Sequence, residues 1–270
     1  MPVPAGSLDA RLSFAVRIAR AAGETGLGHF RNRDALTIEA KGPQDLVSEA
    51  DRALERLVRD GIAEAFPDDA VVGEEGDPTA GTSGFVWVID PIDGTANFLS
   101  GIPEWCVSIA CTFDGVAVVG VIYDPNVDEM FSARQGGGAF LNGTPMRASA
   151  STSLGEGSLG VGFSARHDPA ELVGFIAALL ARGGVFYRNA SGALMLAYAA
   201  AGRLLGFCEQ HMHPWDCLAG FVLVEEAGGR LLPYDPVTVV ARGAPVVATA
   251  PGVFDEVKAL AAAHFTAPGE

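Results

Sequence analysis

An α/β protein of two unlike halves is what this sequence predicts, on three observations. Between residues 85 and 141 short apolar runs are separated by turn dipeptides, the pattern of a mostly antiparallel sheet. Beyond Arg147 apolar strands alternate with helical stretches, the pattern of an α/β lobe. With 270 residues, 49% of them hydrophobic, the chain can build one large core or two packed lobes. The expected division is an N-terminal lobe over 1–146 and a C-terminal lobe over 147–270.

The elements follow in chain order. Ser7 caps a helix whose apolar stripe is Leu8, Leu12, Ala15, Val16, Ala19 and Ala22, with Gly23, Gly26 and Gly28 loosening the pattern after it. Lys41-Gly42-Pro43 reads as loop or short hairpin. Ser48-Glu49-Ala50-Asp51 is a helix start of the S-x-x-[DE] kind, and that helix runs through Leu54, Val58 and Ile62 to Pro67. Residues 70–73 form a short strand leading into Glu74 and Glu75, and the small polar residues 77–84 suit a mobile loop. Residues 85–89 are an unbroken apolar strand, buried on both faces, that stops at Asp90-Pro91; Thr95 is placed to cap a short helix. Strands follow at 106–113, 116–123, 129–133 and 139–141, with a hairpin turn at Asp114-Gly115 and a turn at Asn142-Gly143.

In the second half, strands at 159–163, 185–187, 204–208 and 246–249 alternate with helices at 169–180, 193–201, from Pro214 to Gly228-Gly229, and 253–264. A frayed tail is expected at 266–270.

A net charge of −15 argues against nucleic acid or an anionic membrane as partner. An acidic protein that handles phosphate needs bound cations. The four cysteines show no C-x-x-C spacing, and reduced thiols fit a cytoplasmic protein. No signal-length or membrane-length apolar run is present in the sequence.

The chemistry concentrates in F-V-W-V-I-D-P-I-D-G-T-A-N-F at 85–98. Asp90 and Asp93 leave a buried strand at its carboxyl end, where α/β folds keep their ligands, and the N–H groups of Gly94 and Thr95 can face an anion. The same letters also make an ordinary turn. Asp51 doubles as the second half of a capping box, and Asp216, in the first turn of a helix, as a dipole partner worth about 0.3–1 kcal/mol. His211 and His213 read as structural.

Gly73-Glu74-Glu75, the W-V-I-D-P-I-D-G-T-A-N-F block at 87–98, W-D-x-x-A-G at 215–220, E-A-G-G at 226–229 and K-x-x-x-D-L-V-S-x-x-D at 41–51 together resemble the inositol monophosphatase family along almost the whole chain. The resemblance implies a layered α/β/α/β/α sandwich of the sugar-phosphatase type. Its antiparallel sheet lies in the N-terminal half and a smaller mixed sheet in the C-terminal half. It also implies a lithium-sensitive homodimer that hydrolyses small phosphate monoesters with two or three Mg²⁺ per site. Carried over residue by residue, the metal ligands are Glu74, Asp90, the Ile92 carbonyl, Asp93 and Asp216, and Asp51 lies near the outer metal and its waters. Glu74 and Thr95 orient the attacking water. Ile92, Asp93, Gly94, Thr95, Ser191, Gly192, Glu209 and Asp216 face the substrate, with Ser164 and Arg188 within reach of the leaving group. Ala190-Ser191-Gly192-Ala193 departs from the commoner G-[ST]-A. The expected substrate is inositol 1-phosphate, with histidinol phosphate and fructose 1,6-bisphosphate as alternatives. A regulatory binding protein that has lost turnover is the alternative of another class.

Overall fold

The computed structural model describes residues 5–42, 45–164 and 166–265; the turn expected at Pro43 and the tail at 266–270 lie outside the described residues. The fold is organised by a strand whose two faces bury into different cores. In β4 (Phe85–Asp93) Trp87 and Ile89 belong to one apolar cluster and Val88 to another, because successive side chains alternate across the sheet. A strand covered on both faces needs layers on both sides, and the chain supplies them.

Around β4 lie β3 (Ala70–Gly73), β5 (Cys106–Phe113), β6 (Val116–Asp124), β7 (Glu129–Arg134), β8 (Gly138–Leu141) and β9 (Thr144–Pro145), joined in sequence order into one seven-stranded sheet. Only β3 and β4 run parallel; every other pair is antiparallel. The hairpin turns fall where the dipeptides place them, with positive φ at Asp114 and Gly115 and at Asn142 and Gly143. Helices α1 (Ala5–Arg31) and α2 (Glu49–Ala65) cover the Trp87/Ile89 face, and a hairpin of β1 (Ile38–Gly42) and β2 (Asp45–Ser48) links them.

The Val88 face carries α5 (Gly192–Ala200) and α6 (Pro214–Glu226), which form the shared core between the two sheets. Beyond them lies a mixed five-stranded sheet. Its order is β11 (Val185–Tyr187), β10 (Ser158–Val161), β12 (Gly206–Met212), β14 (Ala244–Thr249) and β13 (Arg230–Leu231). Helices α4 (Pro169–Ala181) and α8 (Phe254–His264) close its outer face over Leu159, Val161 and Val247. The layers are thus α/β/α/β/α, as expected. Short α3 (Thr95–Ser100) follows β4, and α7 (Val239–Arg242) precedes β14.

Four local expectations are corrected. Ser7 does not cap the first helix but lies inside it, since the chain is already helical at Ala5. The first helix does not loosen at its glycines but continues to Arg31: any side chain at Gly23 would meet the Tyr123 ring, and one at Gly26 the Trp105 ring, so these glycines are packing positions. Strand β4 does not stop at Asp90-Pro91 but runs on to Asp93 through a bulge. Thr95 is the first residue of α3 rather than its cap; Gly94, with φ of 99°, occupies the cap position. The 77–84 segment is a loop, fastened by a two-way backbone pairing of Val71 with Thr79.

Buried Asp69 fixes α1 to the sheet. It accepts from Arg11 Nε and Nη2, Ser83 Oγ and Trp87 Nε1, all at 2.6–3.0 Å. No helix among the described residues is long and apolar enough to cross a membrane.

Candidate metal centre

The Asp90–Asp93 bulge decides the geometry. Two residues three apart on a regular strand would point to opposite faces. Here Asp90 pairs with Ser108 and Asp93 with Cys106, so β4 takes three steps while β5 takes two. The extra residue returns Asp93 to the face of Asp90. Proline lacks an N–H and suits a bulge. Asp90 Oδ1 accepts from Ile92 N at 2.9 Å, which holds the kink.

The third carboxylate arrives from a distant part of the chain. Ser108, opposite Asp90, donates its hydroxyl to the Trp215 carbonyl at 2.9 Å and so docks the start of α6 against β5. Gly120 on β6 lets α6 approach: a side chain there would collide with the Ala219 carbonyl. The oxygens of Asp90, Asp93 and Asp216 consequently fall within 4.8 Å of one another.

Glu74 follows β3, which pairs in parallel with β4 so that Gly73 stands beside Ile89; Glu74 N donates to the Ile89 carbonyl at 3.2 Å. Its charge is among those acting on Asp90. Buried Glu55 supports this turn by accepting from Arg59, Glu75 N and Gly76 N at 2.7–2.9 Å.

The three carboxylates sit in a poor solvent for charge. Burial, then the charges of Glu74, Asp93 and Asp216, push Asp90 well above the usual carboxylate range. Asp216 is pushed up by burial, Asp93 and Glu209. Asp93 is also raised by burial, partly offset by the hydroxyl of Ser191 and the N–H of Ala193. None of the ion pairs among the described residues involves these three. At an effective dielectric near 20, two unit charges at 4 Å repel by about 4 kcal/mol. A cluster of hard oxygen donors with no basic partner among the described residues fits a divalent cation such as Mg²⁺.

Thr95 Oγ1 donates to the Ile92 carbonyl at 3.0 Å and lies 3.4 Å from Asp51 Oδ1. Asp51 does form the capping box: its Oδ2 accepts from Ser48 N at 2.8 Å and Ser48 Oγ at 2.6 Å. Burial raises its pKa. One carboxylate therefore serves a helix terminus with one oxygen and faces Thr95 with the other.

Beside Asp93 and Asp216 opens a cavity of about 160 Å³ walled by Gly162, Phe163, Arg188, Ala190, Gly192, Glu209 and others. Glu209 is pushed up to about 8 by burial, against the pull of Arg188. Ser191, by contrast, is fully buried, and its hydroxyl goes to Asp93 Oδ2 instead of to the cavity. Ser164 is buried and does not line the cavity wall. His211 and His213 each accept from Arg166 at 2.8 Å, and His213 stacks on Trp215 with centroids 4.7 Å apart.

Two consequences can be measured. The folded-state pKa of Glu209 lies above its ordinary 4.5, so stability falls as pH rises from that value through about 8. A Glu209→Gln protein, which copies the neutral form, is expected to show a shallower decline in thermal midpoint between pH 5 and 9. Ala190 has φ of 64°, a left-handed conformation that costs a side-chain-bearing residue about 1 kcal/mol. Ala190→Gly is expected to raise the urea midpoint by a corresponding amount.

Sequence reading missed Ser108, Glu55 and Cys106. None carries a motif; each is found only through its partner in space.

The sequence profile described as the inositol monophosphatase family matches residues 7–265. The Nus factor SuhB of Escherichia coli K12 is 40% identical over 221 residues, covering 81% of this chain and 83% of that protein. The inositol-1-monophosphatase of Rhizobium meliloti is 38% identical over 235 residues, covering 82% and 84%. Among solved structures, the extragenic suppressor protein suhB of Bartonella henselae superposes with a TM-score of 0.88 at 32% identity, over 93% of this chain and 98% of that one. The Thermotoga maritima IMPase superposes with a TM-score of 0.82 at 31% identity, over 94% and 97%.

Proposed function

Because the chain belongs to the inositol monophosphatase family, we propose that it is a Mg²⁺-dependent hydrolase of a small phosphate monoester, inositol 1-phosphate foremost. The observation that carries this is the trio Asp90, Asp93 and Asp216, whose crowded oxygens enter none of the ion pairs among the described residues. These three, with Glu74 and the Ile92 carbonyl, are the groups that would hold two or three cations. The cations, once bound, supply charge neutralisation, a more acidic attacking water and stabilisation of the leaving oxygen.

The chain's own groups do the rest. The Thr95 hydroxyl, held at the Ile92 carbonyl and 3.4 Å from Asp51, orients a water for in-line attack together with Glu74. Asp51, its proton affinity raised by burial, accepts the proton relayed through Thr95. The N–H groups of Gly94 and Thr95 receive the phosphoryl oxygens. Glu209, Gly192 and Arg188 face the departing alcohol from the cavity wall. Glu209, whose carboxyl is pushed up by burial, stands on the same wall as Arg188, so together they offer a hydroxyl an acceptor and a donor, which favours a polyol over the ammonium of histidinol phosphate. A single arginine on the wall makes fructose 1,6-bisphosphate the weaker alternative.

Relatives bearing the name Nus factor SuhB favour a second reading, a regulatory binding protein of the same fold. The intact carboxylate set argues for turnover. Phosphate release from inositol 1-phosphate, histidinol phosphate, fructose 1,6-bisphosphate and adenosine 3′,5′-bisphosphate separates these. Release that requires Mg²⁺, stops with chelator and is suppressed by Li⁺ is expected for at least the first. No release from any of the four would overturn the proposal.

A further inference from the structure

Asp93 is gripped from the other half of the chain. Its Oδ2 accepts from the hydroxyl of Ser191, from the backbone N–H of Ala193 at 2.8 Å and from the thiol of Cys106 at 3.7 Å. Ser191 is fully buried and is also the N-cap of α5, accepting from Leu194 N at 3.4 Å. Its own N–H donates to Asn189 Oδ1 at 3.0 Å, and the Asn189 carbonyl accepts from Asn97 Nδ2 at 2.7 Å, so the turn is braced from α3 as well. One oxygen of Asp93 is thus fully committed, which fixes the rotamer and turns Oδ1 to whatever the carboxylate serves.

We propose that Ser191 is a positioning residue that holds Asp93 in its cation-binding rotamer. The inference rests on the phosphatase reading above and goes beyond it: Ser191 acts through Asp93 and not on the substrate. A hydrogen bond to a charged group that is lost frees the carboxylate to rotate and weakens cation binding. Its removal also takes away a helix cap, which lowers stability without touching the cation. The two effects need separate readouts.

The test is Mn²⁺ binding followed by electron paramagnetic resonance on the full chain, beside the Mg²⁺ concentration that half-saturates phosphate release and the thermal midpoint in chelator. Ser191→Ala is expected to weaken Mn²⁺ binding about tenfold and raise the half-saturating Mg²⁺ in step, with a smaller change in KM for substrate at saturating Mg²⁺. Ser191→Thr, which keeps the hydroxyl, is expected to restore binding. Ser191→Cys keeps the volume but donates poorly, and is expected to fall between them; it also serves if the alanine protein does not fold. A folded Ser191→Ala or Ser191→Cys protein that binds Mn²⁺ as tightly as the parent, with only its midpoint lowered, would reduce Ser191 to a helix cap and overturn the inference. A parent protein that binds no Mn²⁺ at all would instead sink the phosphatase reading itself.

Discussion

Asp93→Asn is expected to lower kcat/KM for phosphate release by a factor on the order of 10³ while the fold stands. The side chain can keep its amide oxygen where Oδ2 lies, still accepting from Ser191 and Ala193 N. The amide nitrogen then takes the place of Oδ1 and presents hydrogen-bond donors, not negative charge, to the centre formed with Asp90 and Asp216. A cation that relied on three carboxylates keeps two. Circular dichroism and the thermal midpoint of the cation-free protein check the fold, and phosphate release checks the chemistry. A variant as active as the parent would contradict the role given to Asp93.

The second large effect is on stability. Asp90, Asp93 and Asp216 all titrate above their ordinary range, chiefly through burial. A carboxylate whose folded pKa is raised binds protons that the unfolded chain has already released. The cation-free protein therefore loses stability as pH rises from about 4 toward neutrality. A divalent cation reverses this by pairing with the ionised form, and a ligand at 100 times its Kd stabilises by about 2.7 kcal/mol. At about 2–4 °C per kcal/mol for a chain near this size, the midpoint should rise by about 5–10 °C when Mg²⁺ replaces chelator. The gain is expected to be larger at pH 7.5 than at pH 5, where protonation already relieves the crowding. A gain of equal size at both values would place the cation elsewhere.

Much of the fold was legible because its signals are local. The unbroken apolar run at 85–89, the Asp114-Gly115 and Asn142-Gly143 turns and the Pro214 helix start each state their own conformation. What escaped is set by contacts across the chain. Gly23 and Gly26 look like helix breakers until Tyr123 and Trp105 are seen against them. The bulge at Asp90-Pro91-Ile92-Asp93 reads as a strand end, because only the pairing with Ser108 and Cys106 keeps the strand going. Two-residue β13 and four-residue α7 are too short to carry a period.

The candidate site divides in the same way. Its acidic letters are plain in the sequence, but nothing local brings Asp216 to Asp90; the Ser108 hydroxyl and the bare Cα of Gly120 do that. Ser191 lies in a stretch expected to line a pocket, and the backbone there does line one through Ala190 and Gly192. Its side chain points the other way because the buried carboxylate of Asp93 needs a donor more than the cavity does.

Calorimetric titration of the chelator-treated protein with Mg²⁺, set against the same titration of an Asp90→Asn/Asp216→Asn double variant, bears most directly on whether these distant acids form one cation site. The parent should bind the ion and the folded double variant should not. Equal binding by both would show that the cluster at Asp90, Asp93 and Asp216 is not where the cation sits.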